Sequence, residues 1–185
     1  MKKYILLIGM VGMWLGMSAQ TPISVSYLGH FILHPGIKVG TEFELKEWGE
    51  SGANKVSRLF VSPQLGYYSA GGIQRGVFVN ADVGFRRINP DNIRAFYSDL
   101  SVGIAYLYQA RQISLNVNVG TGEVSDENWE GTSYLMPTVS YAFGRGWSER
   151  IGWFAKGTFG GKVLGAKESE IVVMMELGLR IMVGE

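Results

Sequence analysis

The sequence predicts an all-β fold: a single eight-stranded antiparallel up-and-down transmembrane β-barrel. Three observations carry this reading. Apolar and polar residues alternate at period two along most of the chain, the pattern of strands with two unlike faces. The face opposite the apolar one carries glycine and evenly balanced charge. The segments between runs alternate in length, as in barrels with long loops on one side and short turns on the other.

The first nineteen residues read as a secretory signal peptide. Lys2 and Lys3 form a basic start, Tyr4 to Leu15 is uncharged and apolar, and Met17-Ser18-Ala19-Gln20 supplies small residues for cleavage near residue 19. The apolar run is too short to cross a bilayer as a helix, which takes about 20 residues. Removing 19 of the 185 residues leaves 166, the size of one domain. That mature chain carries 15 Lys and Arg (17 less Lys2 and Lys3) against 16 Asp and Glu, so no basic excess points to nucleic acid. There is no cysteine, hence no disulfide framework. If the chain enters a membrane it does so as a closed barrel, because only helices and barrels satisfy their backbone in lipid.

Strands are expected near 37–45, 58–69, 76–87, 95–108, 111–120, 133–144, 150–160 and 171–183. The third shows the pattern most plainly. Val77, Val79, Ala81, Val83 and Phe85 fall on one face, and Asn80, Asp82, Gly84 and Arg86 on the other. Val102, Ile104 and Tyr106 continue it in the fourth, Ile113, Leu115 and Val117 in the fifth, and Val173, Met175, Leu177 and Leu179 in the last. Each predicted strand has a glycine on its polar side: Gly40, Gly66, Gly84, Gly103, Gly120, Gly144, Gly152 and Gly178. Glycine offers nothing to a solvated outer face, whereas the inside of an eight-stranded barrel only just holds side chains. Small residues there are expected to make room for large polar ones. Those are Lys38, Arg58, Arg86, Lys156 and Arg180 against Glu42, Glu44, Asp82, Asp99 and Glu176. Unpaired buried charge is very costly, so ten charges in balance predict a closed, paired interior. Its centre is expected at Lys38, Glu42, Asp82, Asp99, Lys156, Glu176 and Arg180. The apolar face then meets lipid.

With both termini on the periplasmic side, the connections 46–57, 88–94, 121–132 and 161–170 are expected outside. The connections 70–75, 109–110 and 145–149 are expected in the periplasm. Tyr67, Tyr108, Tyr141, Phe143 and Trp153 are candidates for interfacial girdles. Residues 20–36 precede the first predicted strand and are expected to form an extension or a plug across the lumen, with Pro35-Gly36 as the bend.

The pattern resembles the small eight-stranded outer-membrane β-barrel family, the porin-like fold of Gram-negative bacteria, over almost the whole mature chain. The last strand resembles the assembly signal of such barrels: Glu176-Leu177-Gly178-Leu179-Arg180-Ile181-Met182-Val183 has its spacing and glycine, with Ile181 and Val183 where aromatics are usual. The resemblance implies residence in the cell outer membrane, contact with outer-membrane lipid, handling by the barrel assembly machinery and a monomeric state.

Two features compete with a purely architectural role. His30 and His34 stand four apart, but no His-Glu-x-x-His pattern accompanies them, so no metal, cofactor or catalytic residue is expected. Some barrels of this kind modify lipid with a Ser/His/acid set at the outer rim; both histidines are expected on the periplasmic side, away from it. The acidic segment holding Asp126, Glu127, Trp129 and Glu130 is expected to be a solvated outer loop able to meet an unidentified surface partner. The leading expectation is a non-enzymatic barrel with a structural or surface-interaction role. A narrow small-solute channel and a soluble periplasmic ligand-binding barrel are the alternatives.

Overall fold

The computed structural model describes residues 21–30, 34–49, 55–89, 92, 94–117, 124–146, 148, 150–163 and 170–183. The expected signal peptide lies outside them. Nine strand segments form one antiparallel sheet: β1 (Thr21–His30), β2 (His34–Thr41), β3 (Phe43–Trp48), β4 (Val56–Ala70), β5 (Gln74–Ile88), β6 (Phe96–Val117), β7 (Val124–Gly146), β8 (Ile151–Lys162) and β9 (Glu170–Val183). β2 and β3 both pair with β4 and are two halves of one strand, interrupted at Glu42. Each strand pairs with the next, and β1 pairs with β9, which closes an eight-stranded up-and-down barrel.

The strand count agrees with the sequence reading, but two assignments differ and their errors cancel. Residues 20–36 are not an extension or plug. Thr21–His30 is the first barrel strand, with ladders on both sides: Val25 faces Val39 of β2 and Leu179 of β9. The alternation runs through 23–37 without a change of period, so the sequence pattern does not mark where β1 ends and β2 begins. Conversely, no turn occurs at 109–110. β6 runs through it, with Gln109 opposite Thr132 and Arg111 opposite Glu130. The segment expected as a fifth strand is therefore the far part of β6.

These changes move the connections. Thr21 faces Val183, so both termini share one end. The turn 71–73, with Gly71 and Gly72 at positive φ, lies at the opposite end and not beside the termini, as does the β6–β7 hairpin. The connections after β3 and β5, expected outside, lie at the termini end. His30 and His34 face each other across the β1–β2 turn, at the far end and not near the termini.

The two faces fall where alternation put them. Val102, Ile104 and Leu177 are more than half exposed on the outside, while Asp82 and Phe78 of the inner face are almost fully buried. An outer band this apolar is the lipid-facing surface of a membrane barrel. Aromatics border it. Phe85, Phe96, Phe143 and Trp153 mark the termini end, and Tyr27, Tyr67, Tyr106 and Tyr108 the far end. Along β6, Phe96 and Tyr108 are about 12 residues apart; at ~3.3 Å each and a tilt near 40°, that spans roughly 30 Å, the thickness of a hydrocarbon core.

Candidate functional site in the lumen

Inward-facing residues lie in three layers from the termini end to the far end. The first layer is charged. Glu42 sits at the break between β2 and β3, where the chain leaves the ladder and its carboxylate reaches inward. It accepts from Arg86 of β5, with Nη1 at 2.8 Å, and from Arg180 of β9. Arg86 also grips Asp99 of β6 with Nε and Nη2, both at 2.7 Å, and Arg180 approaches the same carboxylate at 3.5 Å. Two arginines and two carboxylates thus form one neutral cluster across the barrel. The Tyr97 ring lies against both guanidinium groups, 5.1 Å from Arg86 and 4.9 Å from Arg180.

Deeper in, two pairs continue the layer. Lys156 donates to Asp82 at 2.7 Å, and Lys38 donates to Glu176 at 2.7 Å, with Ser26 adding a hydroxyl donor at 3.2 Å. Lys38, Asp82, Asp99, Glu42 and Glu176 are buried. All seven predicted central residues therefore meet in this layer, joined by Arg86. Arg58 and Glu44 are also paired, but half-exposed at the mouth, where Arg58 binds Glu47 as well. That mouth opens into a cavity of about 780 Å³ at the termini end, whose floor includes Glu42, Arg86 and Arg180. A second, smaller cavity of about 30 Å³ lies among these charges, lined by Glu42, Asp82, Lys156 and Glu176, with room for about one water.

The second layer is apolar, although the sequence reading expected polar residues throughout the lumen. Leu28, Tyr68, Phe78, Leu107, Met136, Val172 and Met174 pack into one buried septum. The glycines explain it. A Cβ at Gly66 would strike the Phe78 ring, and one at Gly84 the Phe60 ring. They make room for aromatic rings more than for charges; Gly103, against Asp82, and Gly40, against Gln64, fit the expectation. Rings on the polar side of an alternating run look like interruptions in the pattern, and only closure places them together.

The third layer closes the far mouth, and the sequence reading missed it. Lys162, expected in a loop, ends β8 and is buried. It donates to Gln109 at 3.1 Å and Glu170 at 2.8 Å and sits 4.6 Å from the Tyr134 ring. Tyr68 links this group to the septum by donating to Gln109 at 3.3 Å. The signal was the inward parity of position 162, legible only if β8 is continued beyond residue 160.

Beyond this mouth β6 and β7 extend as a two-stranded ribbon. Asp126, Glu127, Trp129 and Glu130 belong to β7 rather than to a loop. The side chains of Asp126 and Glu127, like those of His30 and His34, lie outside the described residues. Trp129 carries the Arg75 guanidinium on its face at 4.0 Å.

No protein-family model and no curated protein matches the sequence. Among solved structures, the chain is similar to the outer membrane enzyme PagL, with TM-score 0.57 and 8% identity over 88% of this chain and 99% of that one. It is also similar to Neisserial surface protein A (NspA), with TM-score 0.50 and 7% identity over 89% of this chain and 95% of that one. One of these is an enzyme by its title and the other a surface protein, so the likeness carries the fold and leaves the role to the site. The closed ring of eight strands, the outward apolar band and the filled interior give this chain the fold of the small outer-membrane β-barrels.

Proposed function

We propose that the protein resides in the outer membrane as a non-enzymatic barrel with a sealed lumen, and that its role is structural or is exercised through the ribbon at its far end. One observation carries this reading. The interior is occupied by side chains from the Glu42–Arg86–Asp99–Arg180 cluster through the apolar septum to Lys162. A narrow conductor needs a continuous wet path, and a septum of aromatic and aliphatic side chains interrupts it. With the termini in the periplasm, the ribbon faces outward.

Reconstitution into planar bilayers tests this. The wild type should show no steady ion current, whereas a stable, salt-dependent open conductance would replace this reading with that of a small-solute channel. Orientation has its own test. Epitope tags at Gly72 and near Asn128 should be reached together by antibody on intact cells, since both lie at the far end. A tag at Gly72 hidden until the membrane is opened would invert the barrel.

A further inference from the structure

The outer surface at the termini end differs from that at the far end. Trp48, Phe85, Phe96, Phe143 and Trp153 form an aromatic belt there, linked by Trp48–Phe85 and by edge-on contacts of Phe96 and Phe143 to Trp153. Cations are set into it. Arg145 lies 5.3 Å over Phe96 and donates to the Arg94 carbonyl at 2.6 Å. Lys46 lies 5.2 Å over Trp48, and the irregularity between Glu44 and Lys46 is what turns Lys46 outward, opposite Leu59. Arg87, on the same outward face as Phe85, and Arg94 are exposed. Among the described residues none of these four has a carboxylate partner; Glu44 and Glu47 are already held by Arg58. The far rim is unlike this. Its girdle is tyrosine, and its outward arginine, Arg75, is stacked on Trp129.

Aromatic rings hold a barrel at the headgroup level. Unpaired arginine and lysine at that same level face the phosphates of one leaflet, and basic residues near an anionic surface are each worth about a fivefold gain in association at low salt. We infer that this cation–aromatic belt is a docking surface for anionic glycerophospholipid headgroups in the leaflet at the termini end. The inference rests on the membrane-barrel reading and adds the lipid class and the leaflet. Charge complementarity selects the occupant: among the described residues the belt offers four cations to phosphate, and the rim acids Glu44 and Glu47 are held by Arg58. The Arg145 guanidinium, laid on the Phe96 ring and anchored through Nε to the Arg94 carbonyl, is pre-oriented toward phosphate oxygens.

The test uses the mature chain carrying Trp129→Phe and Trp147→Phe, so that Trp48 and Trp153 report the termini end. It is folded into vesicles of phosphatidylcholine with a minor fraction of brominated lipid, either phosphatidylglycerol or phosphatidylcholine. Insertion is checked separately, by the mobility shift of unboiled samples. Brominated phosphatidylglycerol should quench at several-fold lower mole fraction, and added salt should erode the preference. Arg87→Gln with Arg94→Gln, both exposed and outside the lumen, should lower it about fivefold or more at low salt while leaving insertion intact. Equal quenching by both lipids in an inserted barrel overturns the inference and leaves the membrane reading standing; failure to insert into any vesicle overturns both. Displacement of phosphatidylglycerol by lipid A at equal phosphate would assign the belt to a glycolipid instead.

Discussion

The two halves of the lumen are filled by different means. Toward the termini, the barrel is closed by charges that neutralise one another: two arginines share two carboxylates, and two lysines take one each. Toward the far end it is closed by a septum of rings and aliphatic chains, capped at the mouth by Lys162 with Gln109 and Glu170. The charged half adjoins the 780 Å³ mouth and is the half water can approach. The septum offers water few hydrogen-bonding partners. Paired charges at the edge of water fix which strands stand opposite one another, because each partner is costly to leave alone. An apolar septum does not choose partners so finely, but it excludes ions without any hydrogen-bond geometry to maintain. The difference assigns specificity to one half and the seal to the other.

Four experiments break or sharpen that contrast. Glu42→Ala strips both Arg86 and Arg180 of a buried partner and should cost about 3–5 kcal/mol, read as a shifted midpoint for unfolding from lipid vesicles in urea. It should leave planar bilayers silent, since the septum is untouched; a steady current from this variant would make the charged half the seal. Phe78→Ala empties the centre of the septum and should cost slightly less, about 3–4 kcal/mol. Here bilayers should show transient conductance, and silence would mean the lysine layer at the far mouth seals alone.

A third change tests the outside against the inside. Val102→Arg, on the lipid face, should cost about 2–4 kcal/mol if the position is near mid-membrane, whereas Ser62→Ala on the inner face should cost about 1 kcal/mol, the worth of its hydrogen bond to the Thr41 carbonyl. Equal tolerance at the two positions would contradict the assignment of faces. The smallest effect belongs to Arg58→Gln. Its pairs with Glu44 and Glu47 are half-exposed at the mouth and should contribute less than about 1 kcal/mol in the same urea titration. A loss as large as that of Glu42→Ala would mean the mouth is closed in the membrane and that the charged half extends into it.

Much of this was legible before the fold was known. Period-two alternation assigned Val77 to Phe85 to one face and Asn80 to Arg86 to the other, and it turned Asp82, Asp99, Glu176 and Lys156 inward, where each finds a partner. The septum was not legible, because Phe78, Leu107 and Met136 sit on the nominally polar side and each alone reads as noise in the pattern. Lys162 was lost to an early strand end, and the histidines and the 71–73 turn were put at the wrong end of the barrel through one missed strand and one strand cut in two.

The sequence by itself determined the class: alternation is a local property of the backbone, and every residue carries its face with it. It also determined that the interior must be neutral, because composition counts charges without knowing where they meet. Only the tertiary structure decided who meets whom. A register slip moves a strand by whole residues without changing its alternation, and the stagger of the strands around the barrel sets which inward positions reach a common height. That is why Glu42 finds Arg86 and Arg180, why Gly66 lies over the Phe78 ring, and why the apolar septum is set between the central charges and Lys162.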